Sequence, residues 1–392
     1  MTTGITRAVA AATVAGALAG LNLVGGAAGA SAAAQPGTQA AHPVTAYVAN
    51  YLANTVTPIS TATNTAGKPI TVGNGPNAIA ITPNRATAYV VNSASGTVTP
   101  IHTATNTAGK PITVGKDPSA IAINPGGATA YVANSASNTV TPIHTATNTP
   151  GKPIKVGADP DAIAIMPNGA TAYVGNVGSG TVTPIHIATN TAGKPIKVGV
   201  APNEIAITPN GATAYVVNQN FNANTVTPIH TATNTAGKPI KVGPYPHAIA
   251  ITPNGATAYV ACFNMHVPNG QPGVGEVTPI HIATNTAGKP ISFGTNFPAF
   301  FAITSNSATA YVTSGAGVTP IHTATNTAGK TIKAGNGPWA IAITPNGSTA
   351  YITDVGTGNA AWHTVTPLDI ATNTAGKAIQ VALRPVAIDI TP

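Results

Sequence analysis

The 392-residue sequence predicts an all-β fold, a β-propeller built as a ring of four-stranded antiparallel blades, on three observations. First, a TAYV or TAYI segment occurs eight times, at Tyr47, Tyr89, Tyr131, Tyr173, Tyr215, Tyr259, Tyr311 and Tyr351. The first five are 42 residues apart and the later gaps are 44, 52 and 40. A self-similar period of this length marks a stacked or ring-shaped array. Second, each copy holds four short segments rich in Ile, Val, Thr and Tyr, bounded by Gly, Asn and Pro, which is the signature of strands and tight turns. Third, 41 Gly and 35 Pro punctuate every copy and leave little room for long helices.

The elements follow in order. In the second copy the strands are read at Ala78–Thr82, Thr87–Asn92, Thr97–His102 and Lys110–Gly115. Pro-Asn-Gly or a variant joins the first two, and Asn-Gly is a strong hairpin signal. Along the first strand Ile79 and Ile81 point one way and Ala78 and Ala80 the other. Large against small suits strands crowded near an axis where blades stack. Eight copies predict eight blades, with seven as the alternative. The repeat begins in its second strand, at residues 44–50, and ends on a first strand, at 386–390. The last segment is therefore expected to complete the sheet begun by residues 44–50. One element resists the scheme: Pro100 and its seven equivalents fall inside the third strand, where a missing N–H costs a ladder bond. A bulge or a locally open ladder is expected there.

Ahead of the repeats, residues 1–34 have one charge, Arg7, then an Ala/Val/Leu/Gly stretch and a small-residue end at Ala30-Ser31-Ala32-Ala33-Ala34. That is the layout of a cleaved secretory signal peptide, with an uncleaved membrane anchor as the rival. Residues 35–43 read as a short linker and 44–392 as a single domain. The single cysteine, Cys262, excludes an intramolecular disulfide. It stands where other copies have Asn92, Asn134 and Asn176, as a small buried residue at a strand end.

Only 6% of residues are charged, with a formal net charge of +8. Most of the excess is one lysine per copy, Lys68, Lys110, Lys152, Lys194, Lys238, Lys289, Lys330 and Lys377, joined by Lys155, Lys197, Lys241 and Lys333. Lysine on an outer edge strand discourages strand addition, which accounts for both series without a ligand. Spread round a rim, these lysines form no single patch for nucleic acid.

TAYVAN, VTPIHTATNTAGKPIKVG and DPDAIAIMPNG resemble the YVTN-family propeller repeat of bacterial and archaeal surface and secreted proteins, over residues 45–392. The resemblance implies the strand order above, with AIAIT innermost. The chain departs from the family pattern in two ways. The usual Asp after the third strand occurs only at Asp369, and the family rarely has proline at Pro58, Pro100 and their equivalents.

The copies differ among themselves unevenly. The turns between strands one and two and between three and four barely change, and they lie on one face of the disc. The turns between strands two and three, and between blades, vary and lie on the other. Variable loops on a rigid scaffold are where binding concentrates. There Phe221, Tyr245, His247, Phe263, Met265, His266, Phe297, Trp339, Trp362 and His363 gather over blades 5–8 as candidate ligand-binding residues. The alternative is that these aromatics pack the longer loops, with Phe300 and Phe301 as core.

Metal and catalytic chemistry have less support. His102, His144, His186, His230, His281 and His322 recur in the third strand. Two strand spacings out from the axis, equivalent atoms of adjacent blades are roughly 10 Å apart, far beyond a zinc ligand's reach of about 2 Å. Cys262, His266, His247, Asp354 and His363 lie on different blades, with Cys-x3-His a weak pattern. The mature acids form no obvious carboxylate pair by spacing. Glu204 stands where Ala78, Ala120 and Ala162 stand elsewhere, near the channel mouth, and is the first acid to test for activity. The expectation is a secreted, non-enzymatic binding or cell-surface scaffold module, possessing no cofactor and no metal, whose partner is a protein, peptide or glycan. Nucleic acid is disfavoured, and no later segment could span a membrane. The alternatives are a lactonase-like propeller hydrolase or lyase with its site at the channel mouth, and a self-assembling surface-layer-like protein.

Overall fold

The computed structural model describes residues 43–219, 224–264, 273–356 and 363–392. The expected leader, Phe221, Met265, His266 and Trp362 lie outside these residues. Eight separate antiparallel sheets form the blades of a propeller. The one helical element among the described residues is a single 3-10 turn, Ser135–Ser137. No helix among them is long and apolar enough to cross a membrane.

Blade 2 shows the plan. Its strands are Pro76–Ile81, Thr87–Asn92 and Thr97–His102, followed by an outer strand in two pieces, Thr107–Ala108 and Ile112–Thr113. The innermost strand begins two residues earlier than the sequence reading. Its ladder carries a bulge at Asn77, with Pro76 paired to Asn92 and Ala78 to Val91. Blade 1 is assembled from both parts of the chain: Pro385–Ile390 pairs antiparallel with Thr45–Asn50.

The outer strand corrects the expectation of one continuous Lys110–Gly115 strand, and the strand proline is the reason. In Pro100 the carbonyl points outward and accepts the Gly109 N–H at 2.8 Å. In a strand, a residue's N and C=O point to the same side, so the N–H that proline lacks also faces outward. The inner ladder to Tyr89 loses nothing. The outer strand breaks opposite the proline, and all eight copies repeat the Gly-to-Pro bond at 2.7–2.8 Å. A Cβ on Gly109 would lie 3.1 Å from Pro100 Cγ, a tight contact that glycine avoids. Lys110 and its equivalents sit in the break, exposed, rather than on the strand.

Eight apolar cores, one per blade interface, hold the ring. Between blades 3 and 4, Ala120, Ala122, Tyr131 and Ala133 pack against Ile163, Ile165, Ala172 and Val174. The small face of each inner strand meets the large face of the next, as the alternation of Ala and Ile requires. Burying each isoleucine contributes about 2 kcal/mol. The eighth interface, between blades 8 and 1, is of the same kind, with Ala340, Ala342 and Tyr351 against Val48, Ile388 and Ile390.

Polar bolts cross the same interfaces. Each TAYV tyrosine is buried and donates its hydroxyl to an Asn Oδ1 of the next blade's outer turn at 2.5–2.7 Å. The circle closes when Tyr351 of blade 8 reaches Asn64 of blade 1. Each acceptor is in the left-handed conformation, φ 52 to 54°, which Asn tolerates better than most residues. One tyrosine and one asparagine, in separate constant motifs, are thus a single contact made eight times.

Candidate functional site at the variable face

The rim is cationic. Its twelve lysines are exposed, as are the six repeated histidines. Asp369, the one acid there, caps its own turn by accepting from the Thr372 N–H and hydroxyl at 2.7 Å each. These hydrogen bonds hold its carboxyl below the ordinary range. Among the described residues no three His, Cys, Asp or Glu side chains gather to hold a metal ion.

The remaining acids belong to the inner strands and the variable face. The residue after each inter-blade proline lies at the strand bulge, and bulges re-aim side chains. Here they reach along the ring to the neighbouring blade. Asn77 Nδ2 donates to the Pro118 carbonyl at 3.3 Å, Ser119 Oγ to the Pro160 carbonyl at 2.9 Å, and Asn203 Nδ2 to the His247 carbonyl at 3.1 Å. His247 continues the series, with Nε2 2.7 Å from the Pro298 carbonyl. A girdle of side chains therefore stitches one blade's mouth to the next. Asp161 takes the same position in blade 4 with a carboxyl in place of the amide or hydroxyl.

Among the candidate binding residues the structure brings three together. Phe297 stacks on the His247 ring at 4.4 Å, 16° between planes, and meets Phe263 edge-on at 5.2 Å. Phe263 and Phe297 are half-buried, whereas His247 is 1% exposed and its ring nitrogens face backbone carbonyls. Burial pulls His247 down to about 4, so it is a neutral structural donor rather than a titrating group. Tyr245, also half-buried, sets the strand entry with φ 46°. Trp339 lies apart from this trio, edge-on to Phe300 at 5.2 Å, and packs against the cores on both sides of blade 8. His363 is exposed at the start of the third strand of blade 8. Phe300 and Phe301 are buried core residues.

Cys262 is fully buried in blade 6, paired in the ladder with Glu276. Burial pushes its thiol up and the Glu276 charge adds to it, the reverse of what a nucleophile needs. Asp354 takes the same place in blade 8 and accepts two threonine hydroxyls, Thr364 and Thr366, at 2.8 Å each. Burial raises it to about 6.

Two acids that spacing alone did not pair act on each other. Glu204 is 5% exposed, and burial followed by the charge of Asp161 holds its carboxyl well above the usual range. Burial likewise raises Asp161 to about 7, helped by Asp159 and Asp117. They stand 43 residues apart, about one repeat, which is the sequence separation of neighbours in adjacent blades. That spacing was the signal available. A third acid, Asp389, is half-buried, and burial raises it to about 7. Its Oδ2 accepts the Ile81 N–H of blade 2 at 3.0 Å, so it fastens the closing strand to the next blade.

No family model matches this chain, and no curated protein matches it. Solved structures do. Dihydro-heme d1 dehydrogenase NirN in complex with DHE superposes with a TM-score of 0.72 at 14% identity, over 91% of this chain and 77% of that one. A functionally unknown protein from Desulfotomaculum acetoxidans DSM 771 gives 0.62 at 17% identity, over 88% and 98%. Hydrazine synthase of Kuenenia stuttgartiensis gives 0.61 at 20% identity, over 79% and 96%. At these identities the likeness establishes the fold, and the chain stands as an eight-bladed β-propeller similar in architecture to these three.

Proposed function

We propose that this protein is an exported, non-enzymatic binding module whose variable face over blades 5–8 engages a protein, peptide or glycan. The observation that carries the reading is the half-buried Phe263–Phe297 pair braced on His247, on the face where the copies differ. Partly exposed aromatics held rigid by a scaffold provide binding area at little entropic cost. Trp339 has a larger structural share than the other aromatics, since it packs on two cores. The test is a glycan and peptide array probed with wild type and with Phe263→Ser and Phe297→Ser. Loss of a wild-type signal at least tenfold, with the melt shifted only slightly, is the expected result. An array without signal for wild type, or signals indifferent to both substitutions, would sink the reading. Export is checked separately by the N-terminal sequence of the secreted product, expected to start near residue 35 as the Ala-rich segment reads.

A second reading is favoured by a specific observation, the raised carboxyls of Asp161 and Glu204 at the mouth. Buried acids with perturbed protonation cluster at catalytic sites, and two of the similar structures are named as a dehydrogenase and a synthase. A propeller hydrolase or lyase would use one such acid as proton donor. Turnover of a lactone or ester panel that disappears in Glu204→Ala would favour it over the binder.

A further inference from the structure

At the mouth between blades 5 and 6 a buried acid stands beside a buried amide. Glu204 pairs with Val217 in the ladder, and Val217 packs in the core shared with blade 6. Paired residues of antiparallel strands share a face, so the Glu204 side chain enters the seam toward blade 6. It is 5% exposed. Beside it, Asn203 is 2% exposed and spends its Nδ2 on the His247 carbonyl, which fixes the amide orientation and leaves Oδ1 buried without a partner. Buried acceptors are ordinarily satisfied, and a buried charge without a counter-charge is costly. Every other copy except blade 7 keeps alanine at the Glu204 position, so the blade does not require the acid.

We infer that this seam is a binding site for an organic cation bearing N–H donors, an ammonium or guanidinium group, held by Glu204 and Asn203 Oδ1. The donor count fits: the ligand must supply hydrogen bonds to a carboxylate and an amide oxygen, which a guanidinium or ammonium does and a quaternary ammonium does not. The absence of a third metal-ligating side chain among the described residues argues against a divalent ion. The seam is continuous with the aromatic trio, because Asn203 is bonded to His247 and His247 stacks on Phe297. A ligand with a cationic head and an apolar or peptide body would therefore span both. This assignment rests on the binding reading of that face and names the chemistry of its ligand.

The test is thermal melting and NMR titration of the intact domain with n-butylguanidinium and n-butylammonium, with tetramethylammonium and Ca²⁺ as comparisons. The primary cations should raise the melt and shift blade 5 and 6 amides saturably, and tetramethylammonium should do neither. Glu204→Gln should weaken the binding at least tenfold. Glu204→Ala, which restores the residue of Ala78, Ala120 and Ala162, should abolish it while melting no lower than wild type. Absence of saturable shifts with both primary cations, equal binding by Glu204→Ala, or stabilisation by Ca²⁺ alone would overturn the assignment. If the array ligand of the aromatic face still binds Glu204→Ala fully, the cation site fails and the binding module stands. If neither binds, both fail.

Discussion

Blades 1–5 and blades 6–8 are built on one plan but differ at the end of the second strand. In blades 1–5, Asn50, Asn92, Asn134, Asn176 and Asn218 each donate from Nδ2 to two threonine hydroxyls of the third strand, at 2.9–3.2 Å. This lock also touches the preceding blade: Gly115 donates to Asn134 Oδ1 at 3.0 Å, and a Cβ on Gly115 would fall 2.6 Å from the Asn134 side chain. Blades 6–8 replace the asparagine by Cys262, Ser314 and Asp354. The Tyr–Asn bolts at the other end of the same strand persist in all eight. The chain therefore conserves polar contacts where the constant turns meet and relaxes them under the variable loops. The departures fall in blades 6–8, where Asp354 keeps a lock of reversed polarity by accepting from both threonines and Cys262 has only a weak bond to the Val260 carbonyl, so scaffold regularity is lost on the side where recognition is proposed to begin.

The sharpest way to break that contrast is to remove a core contact on each side of it. Ile163→Asp in blade 4 and Ile341→Asp in blade 8 both place a charge where exposure is zero, at a cost of more than about 4 kcal/mol. Both variants should lose the cooperative melt in calorimetry. A blade 8 variant that still melts as one unit would mean the irregular blades are separable from the ring.

Next in size is the pH dependence. Asp161 and Asp389 titrate near 7 and Asp354 near 6 in the folded chain, against 3.8 as the ordinary value. The folded state holds these protons more tightly than the unfolded one, so their contribution to stability is complete below about pH 4 and is lost as pH rises toward 6 to 7. Melting temperature should therefore climb when pH is lowered from 8 to 5. Asp354 separates the blades within this trend, because it is the lock of blade 8 that titrates. Asp354→Asn should remove about 2 to 3 kcal/mol of the slope and restore the geometry of blades 1–5. An unchanged pH profile in that variant would contradict the assignment of the slope to Asp354.

Smaller effects test whether the bolts are equal on both sides. Tyr215→Phe and Tyr311→Phe each remove one hydroxyl bond to the next blade and should each cost about 1 kcal/mol in denaturant unfolding. A large difference between them would make the bolts context-dependent. The smallest change expected is in blade 6. Replacing Cys262 by Asn and Glu276 by Thr together rebuilds the lock of the regular blades, for a gain of roughly 0.5 kcal/mol.

Much of this was legible in the sequence. The period gave the blades, the phase of Tyr47 and of residues 386–390 gave the shared first blade, and the Ala/Ile alternation gave the packing of small against large. The split outer strand was not legible, because a proline's cost depends on which neighbour its missing N–H faces. The Tyr–Asn bolt was hidden for another reason. Both residues occur in every copy, and sameness marks a position as required without naming its partner. At the mouth, Asp161 and Glu204 belong to different repeats, and each reads as an isolated substitution until the ring brings adjacent repeats side by side. The aromatics were visible as a group, but their division into the His247–Phe297–Phe263 trio and the separately packed Trp339 depends on side-chain geometry.

The first blade has one further property. In blade 2 the hairpin is held by Thr82 N–H to the Thr87 carbonyl at 2.9 Å and Thr87 N–H to Thr82 Oγ1 at 3.1 Å. In blade 1 the same pair of bonds joins Thr391 and Thr45, at 3.0 Å each, with no peptide link between the strands. The seam is a hairpin lacking only its turn. A four-residue linker such as Pro-Asn-Gly-Ala from Thr391 back to the first blade, with the chain reopened at the exposed Asn84-Arg85 tip of blade 2, should give a circular permutant with the same fold, since exposed hairpin tips tolerate such cuts. In that sense the ring has a strand order but no structural first residue.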